Sequence, residues 1–136
     1  MDLYGLYYFS LAFQCVVSLA LAAWLWAKGP HQSGIKPLAL FCVGVGCWGF
    51  GQLAMNLGDD RTAQNGKMLV NCGPLNAVFF LHFVFRFLGR QKPRQLAVSY
   101  ALAVITLLAV QVFDMGTLKP WLAFKRFYFF PAWGWA

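Results

Sequence analysis

The sequence predicts an all-α integral membrane protein: a single transmembrane domain, residues 1–136, folded as a bundle of four transmembrane helices. Composition is the first reason, because 60% of the residues are hydrophobic and only 11% are charged, against about 45–50% and about 25% in soluble domains. The second reason is that four apolar runs approach the roughly 20 residues that a spanning helix needs. The third is that Lys and Arg collect in short connectors between these runs, as topology signals do.

The first helix is predicted over residues 3–27. Aromatic side chains stand at both ends of this run, as in the two interfacial belts of a spanning helix: Tyr4, Tyr7, Tyr8, Trp24 and Trp26. The alternative is a secretory signal peptide, because Ala20 and Ala22 form an A-x-A sequence. We favour a retained helix, since the N-terminal region holds Asp2 and no base, and the run is longer than the apolar region of a signal peptide.

Three further helices are predicted over residues 37–57, 68–88 and 95–113. Pro37 suits the first turn of the second helix, where the N–H that proline lacks would have no intrahelical partner. Pro74 lies inside the third run, so it removes a backbone hydrogen bond and predicts a kink. The segments that join the helices are short and are expected to be loops: KGPHQSGIK, GDDRTAQNGK and GRQKPR.

Residues 114–136 form an aromatic C-terminal tail that does not resemble a fifth span. Lys119, Lys125 and Arg126 interrupt it, and its tryptophans prefer the membrane–water interface. We therefore expect an interfacial helix or loop that lies on the outer leaflet. The tail also ends without a polar segment, which predicts that the natural chain continues past Ala136.

The charge distribution predicts a multi-pass protein of the bacterial inner membrane, with the N-terminus and the tail outside. The first and third connectors, with the turn before the third, carry bases and no acids: Lys28, Lys36, Arg86, Arg90, Lys92 and Arg94. All four acids fall on the opposite side: Asp2, Asp59, Asp60 and Asp114. The net charge of +7 is divided among short clusters, which does not fit a nucleic-acid surface. Four of the bases are expected to contact cytoplasmic lipid headgroups: Arg86, Arg90, Lys92 and Arg94.

The stretch VGVGCWGFGQ in the second run contains a G-x-G-x-x-G pattern at Gly44, Gly46 and Gly49. A dinucleotide-binding loop needs this pattern after a strand, at the start of a helix in a βαβ unit. Here the pattern lies within a predicted span, so dinucleotide binding is excluded. The glycines instead divide between two helix faces, one with Gly44 and Gly51 and the other with Gly46 and Gly49. Small residues let membrane helices approach closely, so we expect a helix sandwiched between two neighbours.

Four amide side chains lie near the outer parts of the second and third runs: Gln52, Asn56, Asn71 and Asn76. Polar groups inside a membrane are costly and face the protein interior, so they are candidates for function. One interpretation is plain hydrogen bonding between helices, which we favour. The other is a small polar pocket, open toward the outside, beside the kink expected at Pro74.

His82 lies within the third run, and Arg86 follows one turn later on the same helix face. A neutral imidazole can ligate haem iron or chlorophyll magnesium. A bis-histidine haem site needs a second buried histidine, however, and His31 lies in a connector. We therefore favour a structural or interfacial histidine, and the sequence requires no cofactor.

No catalytic or metal-binding constellation stands out in the sequence. The four cysteines show no C-x-x-C pairing and lie in or beside apolar runs, as small buried hydrophobes do. Asp59 and Asp60 are adjacent in a connector, so their carboxylates do not converge as an acid–base pair. We therefore expect that the chain is not an enzyme.

The segment PLNAVFFLHFVFRFLGRQ, residues 74–91, resembles part of the seven-span membrane input region found at the N-terminus of some bacterial sensor histidine kinases. The likeness rests on an LHF…RF pattern in the third span, a Trp-Gly step in the second and an aromatic tail: Leu81, His82, Phe83, Arg86, Phe87, Trp48, Gly49 and FYFFPAWGWA. The resemblance implies an N-outside module that feeds a cytoplasmic kinase. It carries over no catalytic residue, since a phospho-accepting histidine box and an ATP-binding region are missing from the sequence.

Two hypotheses for the function follow. The first is a non-catalytic membrane-sensing and signal-input module that shifts its helix packing in response to membrane state or a hydrophobic ligand. The second is a small accessory subunit of a photosynthetic or respiratory complex, packed against other subunits, lipids or pigments. Half of a transporter or channel is a weaker third interpretation. The expected partners are membrane lipids together with other membrane subunits or a second copy of the chain.

Overall fold

The computed structural model describes residues 3–28, 34–57, 60–90, 92–117, 121–124 and 127–129. Its helices and strands are α1 (Leu3–Lys28), α2 (Ile35–Leu57), α3 (Asp60–Val70), α4 (Gly73–Phe87), α5 (Pro93–Thr117), β1 (Trp121–Phe124) and β2 (Phe127–Phe129). Within these described ranges, four helical segments are long and apolar enough to cross a membrane: Tyr4–Lys28, Ile35–Leu57, Arg61–Phe87 and Pro93–Val112. The predicted all-α membrane fold with four spans is therefore confirmed.

The third span is built from two helices, and it begins earlier than the sequence indicates. Residues 58–67 were expected to be a loop before a helix over 68–88, whereas α3 begins at Asp60. The buried side of α3 carries Ala63 and Gly66. These small residues fit against α2 by close approach, so the segment lacks the large apolar residues that mark a helix in the sequence.

The predicted kink at Pro74 is confirmed as a break between α3 and α4. The N–H of Cys72 donates to the carbonyl of Leu69 at 3.2 Å, and the N–H of Leu75 donates to that of Cys72 at 3.0 Å. Each of these bonds joins residues three apart, as in a 3₁₀-helix, whereas the bonds of an α-helix join residues four apart. Pro74 then lies in the first turn of α4, where the N–H that proline lacks is not needed.

The spans form an open row in which α2 has the most neighbours. α1 packs on one side of α2, α3 and α4 pack on the other, and α5 packs mainly on α4. A buried cluster between α1 and α2 contains Ala22, Leu25, Ala39 and Cys42. Outside these contacts the helices present large apolar side chains, for example Val112, which is 70% exposed. Such faces suit lipid or other membrane helices.

The last helix and the tail differ from the sequence-based prediction. α5 runs over Pro93–Thr117, whereas a helix over 95–113 was expected. β1 and β2 pair antiparallel, with Trp121 opposite Phe129, and β2 contacts α2. This hairpin replaces the expected interfacial helix or loop, because aromatic residues favour paired strands. The remaining tail residues lie outside the described part of the chain, and the interfacial location stays a prediction.

Candidate functional site

One face of α2 carries Gly46 and Gly49, and the structure places this face against α1. A Cβ atom at Gly46 would lie 2.8 Å from Cδ2 of Leu19, and one at Gly49 would lie 2.8 Å from Sγ of Cys15. Real Cβ atoms do not approach other atoms so closely, so the side chains of Leu19 and Cys15, or α1 itself, would have to shift. The absence of side chains on this face thus brings the two helices together.

The opposite face of α2 meets α3 and α4. A Cβ atom at Gly51 would lie 2.6 Å from the carbonyl oxygen of Gly66, and one at Gly66 would lie 2.6 Å from the carbonyl oxygen of Gly51. Two helix backbones therefore touch at this crossing. Further along, a Cβ atom at Gly44 would overlap the side-chain amide of Asn76. Sequence reasoning missed Gly66, because Asn65-Gly66 in a polar segment is typical of a turn.

The four amides of the predicted polar pocket do not converge on one point. Asn56 donates from Nδ2 to the carbonyl of Gln52 at 2.7 Å, within α2. Asn76 belongs to α4, and its side chain faces Gly44, which lies on α2 like Asn56. Gly44 and Asn56 are twelve residues apart, which corresponds to about 18 Å along the axis of α2. The set is therefore spread along the α2–α3–α4 contact, with Asn71 at the break between α3 and α4.

A separate polar contact joins the break to the fourth span. The carbonyl oxygen of Met68 accepts a hydrogen bond from Nε2 of Gln111 at 3.3 Å and from Sγ of Cys72 at 3.5 Å. In a continuous helix this carbonyl would accept from the N–H of residue 72, which here bonds to Leu69. Gln111 therefore compensates for part of the interrupted ladder. Its signal in the sequence is a lone amide within the run LLAVQVF.

His82 lies at the contact between α4 and α5, where both of its ring nitrogens have partners. Nδ1 is 3.0 Å from the hydroxyl of Tyr100, and Nε of Arg86 donates to Nε2 at 3.5 Å. Because Nε2 accepts, the proton belongs on Nδ1, which donates to Tyr100. The rings of His82 and Tyr100 also meet edge to face, with centroids 6.0 Å apart. A haem or chlorophyll at His82 would have to displace one of these bonds.

Tyr100 is a second residue that sequence reasoning missed. It lies on α5, 18 residues from His82 along the chain, and its ring also contacts that of Phe79 at 6.1 Å. A tyrosine in an apolar run looks like ordinary packing unless the register of the two helices is known. Within the described residues, no group of three or more His, Cys, Asp or Glu side chains could hold a metal ion.

The bases of the third connector surround a sharp turn between α4 and α5. The N–H of Gly89 donates to the carbonyl of Arg86, and the N–H of Arg90 donates to that of Phe85. This is the Schellman pattern, and it requires the left-handed conformation seen at Gly89, whose φ is 64°. After the turn, a shallow and open depression is lined by Lys92, Pro93, Arg94 and Gln95, whose side chains are all exposed. Four exposed bases lie at this turn: Arg86, Arg90, Lys92 and Arg94.

Lys67 lies on α3 and is only 9% exposed, although the sequence suggested an exposed connector residue. Ala63 and Gly66 lie on the same helix, four residues and one residue before Lys67, and both are buried as well. The methylene stem of a lysine can cover apolar surface while its ammonium group stays near the polar boundary. Lys67 is therefore part of the α3 contact rather than a connector base.

The fold and these contacts define a multi-pass α-helical membrane protein. A family model described as the N-terminal 7TM region of histidine kinase matches residues 10–134. The match covers most of the chain, so the chain belongs to this family, and the resemblance inferred from its LHF…RF pattern is confirmed. The family region is a membrane sensor region. No curated protein and no solved structure matches the chain.

Proposed function

We propose that the chain is a non-catalytic signal-input module of the bacterial inner membrane, whose movable element is the break in the third span. Membership of the histidine-kinase 7TM family supports the sensing role. The observation that carries the proposal is the bond between Gln111 and the carbonyl of Met68 at the break. A helix interrupted in this way bends more easily than a continuous one.

The break separates two differently held parts of the molecule. On one side, α3 is held on α2 by the backbone contact of Gly51 with Gly66. On the other side, α4 also packs on α2, and it is linked to α5 through His82 and Tyr100. Bending at the break would therefore shift α4, together with α5, along its contact with α2 and relative to α3. We propose that a hydrophobic ligand or a change in membrane thickness drives this movement.

The energies involved suit a switch. A polar contact between membrane helices contributes about 0.6 kcal/mol on average and at most about 1.7 kcal/mol. Coupling free energies of about 1–3 kcal/mol change a two-state equilibrium roughly 5- to 150-fold. The Gln111–Met68 bond thus stabilises one bend of the third span without locking it. Pro74 keeps the break in every state, because it cannot donate the missing bond.

Amide hydrogen exchange tests this proposal. The full chain is placed in vesicles of short-, medium- and long-chain phosphatidylcholine, and exchange is compared between residues 69–76 and the middle of α2. We expect exchange at the break to change with bilayer thickness, while α2 stays protected. Gln111→Leu should raise exchange at the break several-fold and flatten its dependence on thickness.

Thr106→Val is the matched control, since Thr106 is exposed on the same helix. It should leave the exchange pattern of the break unchanged. Exchange that is the same in all three bilayers, or equal effects of the two substitutions, would rule out the break as the movable element. Co-purification with pigment- or haem-bearing subunits in fixed ratio would support the accessory-subunit hypothesis in its place.

A further inference from the structure

One end of the molecule, here called the basic end, holds six of the eleven Lys and Arg residues. They are Lys28, Lys36, Arg86, Arg90, Lys92 and Arg94, and all six side chains are exposed. At the other end, Asp60 begins α3 and Asp114 lies in the last turn of α5. The basic end therefore carries a concentrated positive charge on exposed side chains.

Within the basic end, the structure groups four cations around a single turn. Arg86 lies in the last turn of α4, and Arg94 lies in the first turn of α5. Gly89 reverses the chain between them, which brings Arg90 and Lys92 to the same turn. A shallow and open depression lies beside Lys92 and Arg94 at this place. Four cations at one turn complement the negative charge of a phosphate group.

Arg86 is oriented by its neighbours rather than freely solvated. Its Nε–H donates to Nε2 of His82, and His82 is held in turn by Tyr100. This bond uses one of the five N–H groups of the guanidinium and leaves those of the two terminal nitrogens for another acceptor. Guanidinium groups bind phosphate oxygens through such paired N–H groups. Arg86 is thus presented at the edge of the membrane-spanning region, where a lipid phosphate lies.

We propose that the turn between α4 and α5 is a binding site for the phosphate headgroup of an anionic phospholipid. Arg86, Arg90 and Arg94 bind the phosphate, and Lys92 adds positive charge at the same turn. The exposed apolar faces of α4 and α5, such as Phe87 and Val98, accompany the acyl chains. This proposal does not depend on the sensing role, because it concerns equilibrium binding to a fixed turn.

Native mass spectrometry of the full chain in mild detergent tests the site. Phosphatidylglycerol and phosphatidylcholine are titrated separately, and bound lipid is counted for each. We expect phosphatidylglycerol to bind more tightly. Each arginine that is lost removes a direct charge-assisted contact with the phosphate, so Arg90→Gln with Arg94→Gln should weaken phosphatidylglycerol binding by at least about tenfold.

The matched control is Lys28→Gln with Lys36→Gln, which removes the same charge from the same end of the molecule. It should reduce binding much less than the arginine pair. Equal losses in the two double variants would overturn the proposal, because diffuse surface charge would then explain the binding. Equal affinity for the two lipids would overturn it as well, because the site would then not select an anionic headgroup. Circular dichroism and the thermal unfolding midpoint check that both variants keep the native fold.

Discussion

Gly51 and Gly66 pack backbone against backbone, each carbonyl oxygen lying 2.6 Å from the point where a Cβ atom on the other would stand. Neither backbone can move aside as a flexible side chain would. The contact lies where α2 crosses α3, and it explains why a polar segment that looks like a loop is folded as a helix. The crossing therefore tolerates little added volume, because the atoms that a new Cβ would meet belong to the backbone.

Gly66→Ala should therefore destabilise the protein by about 1–3 kcal/mol, the usual cost of overpacking. Gly73→Ala is the control, because a Cβ atom at Gly73 would meet nothing within 4 Å. The measurement is the free energy of unfolding in detergent by a denaturant titration. If Gly66→Ala is as stable as Gly73→Ala, the helices do not cross as closely as described.

The bond between His82 and Tyr100 should couple the two residues energetically. Tyr100→Phe removes the hydroxyl that accepts from Nδ1 but keeps the ring contact with Phe79. His82→Phe removes the imidazole. A double-mutant cycle should give a coupling energy of about 0.5–1.7 kcal/mol. Additive effects on the free energy of unfolding would mean that the hydrogen bond contributes nothing.

His82 should not act as a haem or chlorophyll ligand, since Tyr100 and Arg86 engage both ring nitrogens. The chain purified from a haem- and pigment-producing host should show no absorption band that depends on this residue. The check is a visible spectrum of the native protein beside that of His82→Gln. A Soret or chlorophyll band that disappears in the variant would contradict this assignment.

Gly89 should resist most substitutions, because its φ of 64° lies in the left-handed region. Gly89→Val should cost more than about 1 kcal/mol, since a branched side chain clashes in this conformation. Gly89→Asn should cost less, because asparagine tolerates the left-handed region at a helix C-terminus. Thermal unfolding of the two variants gives the comparison. Equal losses would indicate that the turn does not adopt the Schellman geometry.

Much of the fold follows from local features of the sequence. Hydrophobic length locates the spans, and the predicted start at residue 3 and end at residue 57 agree with α1 and α2. Pro74 opposes a continuous helix through the third span, because it cannot donate the backbone hydrogen bond to residue 70. The LHF…RF pattern, with the Trp-Gly step and the aromatic tail, was also sufficient to indicate the family.

The hydrogen-bond partners that join different helices could not be predicted from local features of the sequence. Gln111 reaches Met68 over 43 residues, and His82 reaches Tyr100 over 18. Both pairings depend on how far α5 is shifted along the third span. Hydropathy does not determine that shift, because many registers bury similar apolar area.

The sequence by itself determined that this is a helical membrane protein of the histidine-kinase input family, with four candidate spans in the described residues, since hydrophobic length, proline and short motifs act locally. Only the tertiary structure decided that Gly66 lies in a helix, that the four amides are spread apart and that Arg86 is held by His82. The physical reason is that close packing and hydrogen bonding inside a membrane depend on the three-dimensional fit of neighbouring helices. That fit is a property of pairs of helices, and no single stretch of sequence contains it.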